Sequence, residues 1–193
     1  MKEISNQTLA VLLVVAIVAS AGQTWFLMSG NSNMVATGAA TGIAKLNVTP
    51  VVAISLPVSS VDFGALFQGA SMNTTSGSPA PLQVQNDGGV NVNVSIARDV
   101  SSSALFSGTG GGDNTASFQF KVADGVEPIS FNTAQSTTNW TNVPGTSGLS
   151  NVIVGLKYQD IDDVAQVHLL VNVPSDESPG SKSETLVFTA SQA

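Results

Sequence analysis

The chain has 193 residues, a net charge of −7 and a pI near 4.3, which suits one ordinary domain with accessory segments. Only six Lys and Arg are spread along it, so no basic stripe exists to neutralise phosphates, and nucleic acid is excluded as an expected partner. The absence of Cys removes disulfides, thiolate chemistry and Cys-based metal sites, leaving the core to supply stability unaided.

Residues 1–28 form the first segment. Leu9 to Met28 are twenty residues without a charge, ending on Trp25, Phe26, Leu27 and Met28. As a helix this stretch would just cross a hydrocarbon core of about 30 Å, with the Trp25 ring placed at the interface. The competing reading is a cleaved signal peptide with Lys2 before it and Ala19-Ser20-Ala21 as its small-residue site. Either reading exports the remainder, to the cell membrane with an outer domain or to the medium. Residues 29–42 are Gly, Ser, Asn, Ala and Thr-rich and are expected to be a flexible stalk.

From residue 43 to 193 the chain breaks into short Val-rich runs separated by turn residues, the spacing of an all-β sandwich of about eight strands. The clearest run is Val90 to Ile96, where Val90, Val92, Val94 and Ile96 alternate with Asn91, Asn93 and Ser95. Period two buries one face and wets the other. Ser117 to Val122 and Ala165 to Val173 repeat it. Further strands are expected at Val51 to Leu56, Val61 to Phe67, Pro81 to Gln85, Asn151 to Tyr158 and Glu184 to Ala190, the last two strands forming a hairpin across Pro174 to Gly180. No helix-period pattern of ten residues follows the first segment.

Residues that could carry chemistry are few. His168 is the one histidine and is expected exposed on the face of its strand opposite Val167 and Leu169. No G-x-S-x-G elbow or paired acid and base accompanies it, so the chain is expected not to be an enzyme and implies no cofactor. Asp160, Asp162 and Asp163 put three carboxylates into four residues, and Asp176 with Glu177 lies in the last loop; such oxygen ligands suit Ca²⁺, but the spacing lacks the loop that wraps the ion, and a solvated acidic turn is the expectation. Gly110-Gly111-Gly112 is followed by no Lys-Ser or Lys-Thr pair and reads as a loose loop, not a phosphate cradle. Trp140, in the polar stretch Thr133 to Ser147, either caps one end of the core or offers a surface contact to a sugar or a neighbour. Four N-x-[ST] sequons, at Asn47, Asn73, Asn93 and Asn139, are glycosylation candidates if the chain is exported. Asn93 should face outward from its strand, while Asn73 and Asn139 should sit in polar loops.

Val61-Asp62-Phe63-Gly64-Ala65, then Gln83-Val84-Gln85-Asn86-Asp87-Gly88 and the alternating strand after it, resembles extracellular Ig-like β-sandwich modules, in which a D-F-G strand precedes a V-x-N-x-G turn. The closing Val173 to Ala190 is similar to the last hairpin of secreted prokaryotic sandwiches, including archaeal-type surface proteins. The whole layout more distantly resembles the TasA/camelysin group of fibre-forming surface proteins. This resemblance implies an Ig-like fold over about Thr41 to Ala190 and carries no functional residue with it. The expected function is a membrane-anchored or secreted structural or adhesive protein. A fibre subunit assembling by strand addition through Ile43 to Leu56 and a carbohydrate- or ligand-binding module are the alternatives, with other surface proteins, glycans or further copies of the chain as partners.

Overall fold

The computed structural model describes residues 6–29, 45–125 and 129–193. The expected stalk, 29–42, lies outside the described residues except for Ser29. By contacts the chain divides into two compact units, Met1–Asn47 and Val48–Ala193.

Among its described residues the first unit holds one helix, α1 (Asn6–Ser29). Its described side chains from Val11 to Val18 are exposed, and the Ser20 hydroxyl donates to the Ile17 carbonyl at 2.9 Å. That bond satisfies the polar group within the helix itself. Among the described residues no helix is long and apolar enough to cross a membrane. The side chains described are those of residues 6–8 and 10–21.

The second unit is an antiparallel two-sheet structure, as the alternating Val-rich runs require. Among the described residues nine strands follow in order: β1 (Ser55–Val58), β2 (Ser71–Asn73), β3 (Leu82–Gln85), β4 (Val92–Arg98), β5 (Phe118–Asp124), β6 (Thr141–Asn142), β7 (Leu149–Leu156), β8 (Val164–Asn172) and β9 (Leu186–Gln192). The six-stranded sheet runs β1-β3-β8-β5-β6, with β2 also paired to β8, and the three-stranded sheet runs β7-β4-β9. Along β4 the even positions Val92, Val94 and Ile96 are buried and the odd positions are half-exposed, and β5 repeats this with Phe118, Phe120 and Val122. These rows face one another as the core, closed by Val84, Val152, Ile153, Leu156 and Val167. Asn86 is buried where the chain leaves one sheet for the other: its Nδ2 donates to the carbonyls of Val90 and Leu156 at 2.9 and 3.0 Å, and its Oδ1 accepts from the Gly88 amide at 3.0 Å. This is the Asn of the V-x-N-x-G turn, and its amide does what backbone pairing cannot do at a crossing between layers.

Three expectations fail and a fourth holds only in part. Val61 to Phe67 is not a strand: the Asp62 carboxylate accepts from the Gly64 amide at 2.8 Å, and Gly64 takes a φ of 65°, so D-F-G is a turn. The last two strands are not a hairpin, because β8 lies inside the six-stranded sheet while β9 ends the other. His168 is not exposed. β8 has sheet on both sides and Thr74 across its outer face, which leaves His168 only 9% exposed. The run expected at Val51 to Leu56 is strand only from Ser55 onward.

Candidate functional site

The six-stranded sheet is wider than the three-stranded sheet that covers it, so part of its inner face has no strand opposite. There a groove of about 960 Å³ opens between β9 and the 59–68 segment, lined among others by Leu56, Phe63, Leu105, Val173, Leu186 and Phe188. Its side chains are the partly buried fringe of the core.

The rim is tied down by the connection from β8 to β9. Glu177, 3% exposed, accepts from the amides of Ser107 and Gly108 at 2.8 and 2.7 Å and from the Lys182 ammonium at 2.5 Å. Lys182 first, then those amides, hold its carboxyl down at about 2. Asp176 beside it accepts from the Thr109 hydroxyl and amide at 2.5 and 2.8 Å, which lower its pKa in turn. On the far wall the Gln68 amide donates to the Glu177 carbonyl at 2.6 Å. Glu184 takes the Leu105 amide at 2.6 Å, and burial raises its pKa. Asp176 and Glu177 enter the sequence reading only as oxygen ligands for Ca²⁺ and Glu184 not at all, since the amides these carboxylates hold lie 67 to 79 residues away.

The residues singled out in sequence are scattered. His168 Nδ1 meets the Thr74 hydroxyl at 3.1 Å, and the Leu169 amide donates to that hydroxyl at 3.0 Å. Burial lowers the imidazole pKa, the Thr74 bond opposes this, and the Lys121 ammonium lowers it further. Trp140 is half-buried outside the core, with Lys121 Nζ at 4.9 Å from its ring centroid, so a cation covers one aromatic face. Of the acidic turn, Asp162 pairs with Lys157 at 2.6 Å and Asp163 accepts from Gln85 at 3.2 Å. Among the described residues no group of three His, Asp or Glu is placed to hold a metal ion.

Asn47 and Asn139 are exposed. Asn93 is half-exposed on the outer face of β4 and accepts from the Gly155 amide at 2.9 Å. Asn73 closes β2 instead of sitting in a loop, and its Oδ1 accepts from the Thr75 amide at 2.9 Å.

No protein-family model matches the chain, and no curated protein matches it.

Proposed function

We propose that the chain is a cell-surface structural protein, held at a membrane by its N-terminal hydrophobic segment and presenting the β-sandwich outside. The observation that carries this reading is an open apolar groove beside a sheet edge, in a domain where the buried His168, Thr74, Asn86 and Glu177 are engaged in holding the fold. Such a surface suits lasting contact with another polypeptide better than turnover of a small substrate. The uncharged Leu9 to Met28 stretch in the same chain supplies the tether. Export also gives the sequons at Asn47 and Asn139 their use, since both are exposed.

The test is fractionation of cells producing the full chain, followed by protease added outside intact cells. The expected result is membrane-bound protein cut after Ser29 while a cytosolic marker survives. Full-length protein in the cytosolic fraction overturns the reading.

A further inference from the structure

Among the described residues five strands are edges of the two sheets, and four of them are blunted. β1 carries Pro57 and a register shift against β3. β2 and β6 are three and two residues long. β7 bulges twice against β4: Val92 pairs with Leu156, Val94 with Ile153 and Ile96 with Leu149, with Gly155 and Asn151 at φ of 66° and 55° in the inserted turns. Bulges, Pro and shortness are the standard protections against edge-to-edge pairing.

The fifth edge, β9, has none of them. All seven of its residues pair with β4 in unbroken register, Leu186 to Arg98 through Gln192 to Val92, and they include no charge and no Pro. Among the described residues no strand lies on its other side. Leu186 and Phe188 of β9 line the apolar groove, so a strand added beside them gains main-chain hydrogen bonds and a place for apolar side chains.

The same chain carries a segment of matching character. From Ile43 to Thr49 the even positions are Ala44, Leu46 and Val48 and the odd positions after Ile43 are Lys45, Asn47 and Thr49, with Pro50 as a stop. These seven residues equal β9 in length. Leu46 and Val48 stand 88% and 77% exposed, and residues 45–50 belong to no strand. An amphipathic strand pattern left in water and an unprotected edge above an apolar groove are complementary.

We propose that β9 of one copy takes residues 43–49 of a second copy as an added strand, with Leu46 and Val48 in the groove. This rests on the structural reading above only for its biological setting. The two surfaces differ, so the contact is heterologous, and repetition leads to a filament instead of a closed pair.

The chain has no Cys, which gives a clean background for trapping. Full-length protein carrying Thr49→Cys is mixed, under mild oxidation, with full-length protein carrying Cys at Val187, Thr189 or Ser191, all exposed on the outer row of β9. Ile161→Cys, 81% exposed in the connection between β7 and β8, is the control. The expected result is a mixed disulfide at one β9 position at least ten times more abundant than with the control. In the Thr49→Cys background, Leu46→Asp with Val48→Asp should abolish it while thermal unfolding is unchanged, because both side chains are exposed. Three outcomes overturn the proposal: disulfide no higher than the control at all three positions, disulfide unaffected by the double Asp variant, or Thr189→Cys linking to itself in preference, which would mean β9 pairing with β9. Localisation does not enter this readout, so failure here and failure of the surface reading are distinguishable.

Discussion

A carboxylate that accepts two amides and an ammonium ties three segments at once, and Glu177 does this for the rim of the groove. Its folded pKa of about 2 lies below the ordinary 4.5, so the stability it contributes is present above about pH 4.5 and is lost as pH falls toward 2. Glu177→Gln keeps the shape and removes the charge. Its melting temperature should fall by about 3–6 °C at pH 7, and its stability should vary less with pH between 4.5 and 2 than that of the parent, as measured by thermal unfolding across that range. Asn86 makes a stricter case, since all its polar contacts are inside. Asn86→Ala leaves two carbonyls and one amide without their partner and should cost about 2–4 kcal/mol in denaturant unfolding, whereas Asn91→Ala, exposed at the surface, should change stability by less than about 0.5 kcal/mol.

At the scale of elements, what the sequence made legible was whatever rests on alternation. β4, β5 and β8 were found because a strand with one face on the core must repeat every two residues. β2 and β6 have three and two residues, too few to show a period, and exist because β8 and β5 offer them an edge. Val61 to Phe67 alternates as well as a strand, but a local side-chain bond and one positive φ turn it aside. The false hairpin and the misplaced His168 have one cause: which sheet a strand joins is decided by partners distant in sequence, and alternation predicts an open face only where nothing covers it. The groove was invisible for the same reason, since its walls come from five separate parts of the chain. The face assignments themselves can be checked. Phe120→Ala, at a fully buried position in β5, should cost about 3–5 kcal/mol, while Val187→Thr on the outer row of β9 should stay within about 0.5 kcal/mol, both by denaturant unfolding.

For the whole molecule the decisive matter is where the self-sufficient fold begins. The second unit starts at Val48, yet the first side chains that pack on the core are Ile54 and Leu56, and the first backbone tie is the Gly89 amide donating to the Val51 carbonyl at 2.9 Å. Residues 45–50 contribute none of these contacts. A chain beginning at Val48 should therefore unfold within about 2 °C of the full-length protein, because nothing buried has been removed. A chain beginning at Ser59 loses β1, Ile54 and Leu56 together and uncovers the side of β3 that β1 had paired. Partial burial of two large aliphatic side chains with the loss of an edge strand should lower its melting temperature by on the order of 10 °C. The comparison separates a segment that completes its own sandwich from one that does not. If the Val48 chain melts far below the full-length protein, the exposed row at Leu46 and Val48 is part of the native fold of its own copy and is not free for another. Equal melting leaves that row as surplus to the monomer, which is the condition under which the bare edge of β9 has something to receive.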